Sequence, residues 1–147
     1  MRILFIIFIF PFFSFSQDSL NMSLLGYLDY PNTNGIDIWG YVDSSGNEFA
    51  IVGLRDGVSV VDVTDPTNPD EKFFIPDVYS IWRDIKTWNN YAYVTTESDT
   101  GLLVIDLNDM SGNTYWHVKD FISDNLNDTL HFEAAHNLYI DENGIAY

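Results

Sequence analysis

The sequence predicts an all-β fold assembled from copies of one short unit, and three observations support this prediction. The run at residues 57–66, Gly-Val-Ser-Val-Val-Asp-Val-Thr-Asp-Pro, is rich in β-branched residues and ends at a proline, which a central strand cannot contain. A similar run, Gly-Leu-Leu-Val-Ile-Asp-Leu-Asn-Asp, returns at residues 101–109, 44 residues further along the chain. Hydrophobic residues make up 46% of the chain and aromatic residues 16%, which is enough to form a packed core.

The first copy of the unit contains four predicted strands separated by turn signals. Apolar and polar side chains alternate at the start of the copy, as they do in a half-buried strand. A cluster of Asp, Ser, Gly and Asn then predicts a turn at residues 43–47, and the corner at 65–69 is rich in proline. The strands are predicted at residues 35–42, 48–53, 57–64 and 72–75.

The same order of strands and turns returns in a second copy and begins again in a third. The second copy has predicted strands at residues 82–88, 91–95, 102–107 and 115–118. The third has predicted strands at residues 136–140 and 145–147, with a turn at 141–144 between them. Residues 122–133 separate these two copies and predict a surface loop, although weak periodicity also allows a helix.

A period of about 42 to 47 residues with four strands in each unit is typical of a β-propeller. A β-sandwich also has many short strands, but the repeated order of strands and corners favours the propeller. Because propellers typically have four to eight blades, we expect residues 17–147 to form an incomplete arc of about two and a half blades, the N-terminal part of a longer domain. A strand predicted at residues 23–28 would complete the last blade of the closed ring.

The charge balance restricts the partners of the protein. Acidic residues number 22 and basic residues 6, which gives a net charge of −16. This charge argues against binding to nucleic acid or to anionic lipid, because both attract positively charged surfaces. It fits a soluble extracellular protein, or one that recruits cations. The chain has no cysteine, which excludes disulfide bonds and thiolate metal sites.

Residues 1–16 have the pattern of a secretory signal peptide. Arg2 supplies the positive charge, residues 3–13 form the apolar run, and Ser14 and Ser16 are the small residues that precede a cleavage site. The run is shorter than the roughly 20 residues that span a bilayer. We therefore expect a secreted or cell-surface protein that begins at Gln17, and an uncleaved N-terminal anchor is the alternative.

Five short stretches carry a resemblance to a known family. They lie at residues 39–41, 48–53, 57–69, 82–86 and 135–138. In this order they resemble the LVIVD-repeat propellers of the choice-of-anchor B family of secreted proteins. The Trp-Arg-Asp piece at 82–84 and the Ala-His-Asn piece at 135–137 are the more specific. The resemblance covers about residues 20–147 and implies a surface protein without an established enzymatic activity.

Motifs for zinc or for catalysis are few. His131 and His136 are five residues apart, whereas the zinc-binding H-E-x-x-H helix places its histidines four apart. The chain contains no G-x-S-x-G motif and no glycine-rich phosphate loop. The sequence therefore indicates no cofactor and no metal site.

Clusters of acidic residues offer an alternative in the form of calcium binding. The clusters at residues 62–65 and 124–128 lack the ligand spacing and the central glycine of an EF-hand loop, so we interpret them as solvated turns. Asp62 and Asp106 occupy equivalent positions in the two copies. We expect both to accept hydrogen bonds from backbone N–H groups in turns.

Superposition of the copies gives one candidate ligand site near the first strand of the unit. Its residues are Asp37, Trp39, Arg83, Asp84, His136 and Asn137. The first strand of a propeller blade lines the central channel, so these side chains are expected to converge at one mouth of the channel and bind a ligand there. The alternative is structural, with the arginine and the aspartates pairing with one another and holding neighbouring blades together.

Two functions of different classes are compatible with the predicted propeller and its candidate site. The first is an interaction module that binds an extracellular protein or a glycan. The alternative is a hydrolase or lyase that acts on an extracellular polymer at the channel mouth, which requires an acid–base pair in a cleft. The sequence contains no convincing pair of this kind and so favours the binding module.

The signal peptide leads to a prediction about the exported protein. Mass spectrometry of the secreted protein should find an N-terminus at Gln17, with or without cyclisation of the glutamine. A soluble cytoplasmic product that retains Met1 would contradict the prediction.

Overall fold

The structure is a computed structural model that describes residues 22–123, 125 and 127–147. The predicted signal peptide at residues 1–16 and Asp124 of the second acidic cluster lie outside the described residues. The described part of the chain contains ten β-strands, which form two four-stranded sheets and one hairpin. The all-β fold class is therefore confirmed.

Each four-stranded sheet is one copy of the repeated unit, with its strands antiparallel and in chain order. The first sheet consists of β1 (Gly35–Val42), β2 (Glu48–Leu54), β3 (Gly57–Asp62) and β4 (Asp70–Pro76). The second consists of β5 (Arg83–Trp88), β6 (Tyr91–Thr96), β7 (Leu102–Asp106) and β8 (Tyr115–Val118). All eight strands match their predicted positions to within two residues at each end.

The core lies between the two sheets and is built from both of them. The first sheet contributes side chains that include Ile51 and Val60, and the second contributes Ile85, Leu103 and Ile105, each at most 1% exposed. Burying one such side chain stabilises the fold by about 1.5–3 kcal/mol. The first strands of the two sheets, β1 and β5, also contact one another. This is the arrangement of adjacent propeller blades with their first strands innermost.

Aspartates fix the turns between strands. Asp62 accepts a hydrogen bond from Thr64 N at 3.0 Å, and Asp106 accepts one from Asn108 N at 2.9 Å, which confirms the prediction for this pair. Asp109, in the corner after β7, accepts hydrogen bonds from the hydroxyl groups of Ser111 and Thr114, and these bonds lower the pKa of Asp109 to about 2.

The strand predicted at residues 23–28 does not form. This segment has no regular structure, and Leu24 and Tyr27 are 82% and 78% exposed. It runs close to the proline-rich corner, where a Cβ atom on Gly26 would lie only 2.5 Å from the carbonyl oxygen of Pro66. A strand needs a partner for its backbone groups, and none of the described strands pairs with this segment.

The segment predicted as a loop or helix at residues 122–133 instead contains most of a β-hairpin. Its strands are β9 (Asp120–Ser123) and β10 (Asp128–His131), in which Ile122 lies opposite Thr129. Asn127 takes a φ of 47° at the tip, a conformation that asparagine tolerates better than most residues. The β-branched pair and the asparagine explain the hairpin, and the helical interpretation was wrong.

The two strands predicted in the third copy are reduced to a single bridge between Ile140 and Ala146. Tyr139 and Tyr147 exchange backbone hydrogen bonds of 3.1 and 2.8 Å, so the two segments run antiparallel. The turn between them is confirmed by a bond from Gly144 N to Asp141 O at 3.0 Å. The pairing is too short to count as strands.

A glycine stands at the entry to the third strand of each copy because the fourth strand passes close to it. A Cβ atom on Gly57 would lie 2.2 Å from Ile75 O and 2.6 Å from the ring of Phe74. A Cβ atom on Gly101 would lie 2.4 Å from Val118 O, and its φ of 75° is a further obstacle to other residues. Close approach of the backbone therefore explains the glycine that opens both repeated runs.

We expect Gly57→Ala to destabilise the protein by about 2–3 kcal/mol, because the new methyl group must displace backbone atoms of β4. Denaturant unfolding measures the change. Gly40→Ala is the matched control, since a Cβ atom on Gly40 has nothing within 4 Å. Equal stability of the two variants would contradict the explanation.

Candidate functional site

Two aspartates connect the first strand of each four-stranded sheet to the backbone of the next copy. The Asp37 carboxylate on β1 accepts a hydrogen bond from Ile85 N on β5 at 2.8 Å. The Asp84 carboxylate on β5 accepts one from Leu138 N in the third copy at 2.7 Å. We call these two contacts the cross-repeat bonds. They explain why the copies carry an aspartate at this position, and they confirm that neighbouring units are held together here.

Arg83 occupies a different environment from these aspartates. It is 4% exposed, and its Nε donates to Leu54 O at 2.8 Å while one terminal nitrogen contacts Asp77 Oδ2 at 2.5 Å and the other donates to Val78 O. The structural alternative, in which Arg83 pairs with Asp37 or Asp84, is wrong for the arginine, because its carboxylate partner is Asp77 in the connector at residues 77–82, between β4 and β5. The six predicted residues therefore do not all converge at one mouth of the channel.

Asp77 was missed by the sequence analysis. Its side chain is 3% exposed and also contacts His117 Nε2 on β8 at 3.1 Å. The only signal for it was its position directly after the proline that ends β4. Asp77 thereby joins the connector to both edge strands of the second sheet, β5 and β8.

Trp39 lies beside a lysine of the next copy, and this lysine pairs with an aspartate. Its Nε1 donates to Thr87 Oγ1 at 3.1 Å, and Lys86 Nζ lies 4.4 Å from the centroid of its ring. The same Nζ contacts Asp84 Oδ1 at 2.7 Å. Lys86 was also missed, although it lies two residues from Asp84 on one strand and therefore on the same face. We call Trp39, Asp84 and Lys86 the inner cluster.

The inner cluster borders an open cleft of about 320 Å³ between the second and third copies. The cleft is lined by Asp84, Lys86, Asn137, Leu138, Tyr139 and Tyr147. The structure thus brings Trp39, Asp84 and Asn137 of the predicted site to one region, and Asp37 lies on the strand that supports them.

His136 contacts residues outside the inner cluster. Its Nδ1 lies 2.7 Å from Glu97 Oε1, and its ring packs against Trp82 with the centroids 5.0 Å apart. His131 instead contacts Asp120 on the hairpin at 2.7 Å, and this contact raises the pKa of His131. The two histidines therefore have separate partners. Among the described residues, no group of three or more histidine, cysteine, aspartate or glutamate side chains is arranged to hold a metal ion.

Two stretches of the chain, residues 41–75 and 82–114, match the family described as LVIVD repeat. The chain contains two LVIVD repeats. The first match begins within β1 and ends within β4, and the second begins just before β5 and ends in the corner that precedes β8. No curated protein and no solved structure is significantly similar to the chain. None of the described residues belongs to a helix that is long and apolar enough to cross a membrane.

The cross-repeat bonds join the LVIVD repeats to one another and to the segment that follows them. Asp37 lies four residues before the first matched stretch and binds the second repeat. Asp84 lies in the second repeat and binds residue 138, beyond the last matched stretch. The third copy is therefore docked on the second repeat in the same way, although it lies outside the match.

We expect Asp84→Ala to reduce the free energy of unfolding by about 1.5–3 kcal/mol, because it removes a charge-assisted hydrogen bond to Leu138 N and leaves Lys86 without its carboxylate. Denaturant unfolding measures the loss. Asp99→Ala is the control variant, because the Asp99 side chain is 65% exposed and contacts Lys119 at the surface. Its free energy of unfolding should therefore change by no more than about 0.5 kcal/mol. A loss no larger than that of the control would contradict the structural role of Asp84.

Proposed function

We propose that the protein is a secreted or surface-attached interaction module of the choice-of-anchor B type, which binds an extracellular protein or a glycan at its inner strands. The signal pattern at residues 1–16 supports export. The two LVIVD repeats and the packing of their sheets support a propeller-type module. The Trp-Arg-Asp and Ala-His-Asn pieces support the more specific family.

The inner cluster is the observation that carries the proposal of binding. Trp39 is 39% exposed although it lies on an innermost strand, and the ammonium group of Lys86, which pairs with Asp84, lies over its ring. Tryptophan is enriched among the residues that dominate binding energy at interfaces. The adjoining cleft adds the amide of Asn137 and two tyrosines, so it offers donors, acceptors and aromatic surface to one ligand.

The alternative of a hydrolase or lyase has less support from this geometry. General acid–base chemistry needs side chains that can exchange protons with a substrate. The carboxylates of Asp37 and Asp84 each accept a backbone N–H of the next copy, and Asp84 also contacts Lys86. These groups are committed to holding the strands, which favours binding without turnover.

The test is a binding screen of the intact protein against immobilised glycans and extracellular proteins, followed by titration of each hit. Trp39→Ala should weaken the binding of a hit by about 30-fold, which corresponds to about 2 kcal/mol. Trp116→Ala is the matched control, because Trp116 is 44% exposed on the outer strand β8. Equal effects of the two variants would contradict the site, and chemical conversion of the ligand would support the enzymatic alternative.

A further inference from the structure

The connector between the two sheets exposes a row of large apolar side chains. Tyr79, Ile81 and Trp82 are 63%, 56% and 47% exposed, and we call these three residues the connector ledge. Ser80 between them is buried, donates to Trp82 O at 2.8 Å, and accepts from Trp82 N at 3.1 Å. Its own N–H donates to Arg55 O at 2.9 Å. The ledge is therefore held by hydrogen bonds on its inner side while its apolar groups face outwards.

A histidine and a glutamate stand beside Trp82. His136 Nδ1 lies 2.7 Å from Glu97 Oε1, so the two side chains form a hydrogen-bonded pair. Both side chains are about half exposed, at 52% for His136 and 46% for Glu97. The pair thus presents hydrogen-bond acceptors next to an aromatic ring.

An aromatic ring with acceptors beside it suits a cation. The face of an indole attracts an ammonium or guanidinium group, and a carboxylate forms a charge-assisted hydrogen bond with the same group. The net charge of −16 steers cationic partners towards the protein. The guanidinium group of Arg55, which would repel a cation, donates to the Tyr79 hydroxyl at 3.2 Å, at the other end of the ledge from Trp82. A neutral apolar ligand would leave the Glu97 carboxylate unused.

We propose that Trp82, Glu97 and His136, together with the connector ledge, form a second binding site that takes a lysine or arginine side chain from a basic segment of a partner protein. Trp82 contacts the cation through its ring, Glu97 neutralises its charge, and His136 holds the Glu97 carboxylate beside that ring. The site is distinct from the inner cluster and does not depend on a ligand being bound there.

The probe is a synthetic peptide of alternating glycine and lysine, titrated into the intact protein by calorimetry, with the lysine-acetylated peptide as its neutral counterpart. We expect the acetylated peptide to bind at least five-fold more weakly, since acetylation removes the positive charge. Trp82→Leu and Glu97→Gln should each weaken the binding of the lysine peptide by at least five-fold.

Matched variants separate this site from general charge attraction. Glu142→Gln changes the net charge as Glu97→Gln does, and Trp116→Leu removes an exposed tryptophan elsewhere, so both should retain affinity within two-fold. Trp39→Ala should also retain it, which keeps this test separate from that of the inner cluster. Circular dichroism checks that each variant is folded, and Trp82→Phe, which keeps an aromatic ring, should recover part of the lost affinity.

Three results would overturn the proposal. The first is no binding of the lysine peptide to the unchanged protein. The second is equal weakening by Glu97→Gln and Glu142→Gln, which would show charge attraction spread over the whole surface. The third is equal affinity for the acetylated peptide, which would show an apolar contact in place of a cation site.

Discussion

The hydrogen bond from an inner-strand carboxylate to the backbone of the next copy is the interaction on which the arrangement of the repeats depends. Each innermost strand is the edge of its sheet, so some of its N–H groups have no partner within the sheet. Asp37 satisfies Ile85 N, and Asp84 satisfies Leu138 N. Apolar packing between the sheets is strong but non-directional, whereas these bonds specify which residue of one strand meets which residue of the next.

The need to hold neighbouring copies together also determines which polar residues remain available for binding a ligand. Asp37 and Arg83 are used to hold strands and the connector in place, and Asp84 contributes a carboxylate to both a backbone bond and a lysine. Two tryptophans remain partly exposed, Trp39 near the cleft and Trp82 on the connector ledge. The two surfaces therefore differ in chemistry. The inner cluster places Trp39 beside the ammonium group of Lys86, whereas the connector ledge places Trp82 beside the pair of His136 and Glu97.

The parts of the fold that the sequence predicted well are those whose signals are local. Runs such as residues 57–64 are bounded by glycine and proline, and β1–β8 follow such signals closely. The segment at residues 23–28 and the hairpin β9–β10 were misjudged because a strand exists only where another segment pairs with it, which composition does not reveal. In the site, the equivalence of Asp37 and Asp84 was visible in the repeat, but the partner of Arg83 was not. That partner, Asp77, depends on how the connector folds back over the sheet.

Amide hydrogen exchange at Ile85 and Leu138 tests the central role of the cross-repeat bonds most directly. In the unchanged protein both amides should be protected from exchange, as amides inside the sheets are. Asp37→Ala should abolish protection at Ile85 and leave it at Leu138, while Asp84→Ala should do the reverse. Unprotected exchange at both amides in the unchanged protein, or protection that neither variant alters, would contradict the account.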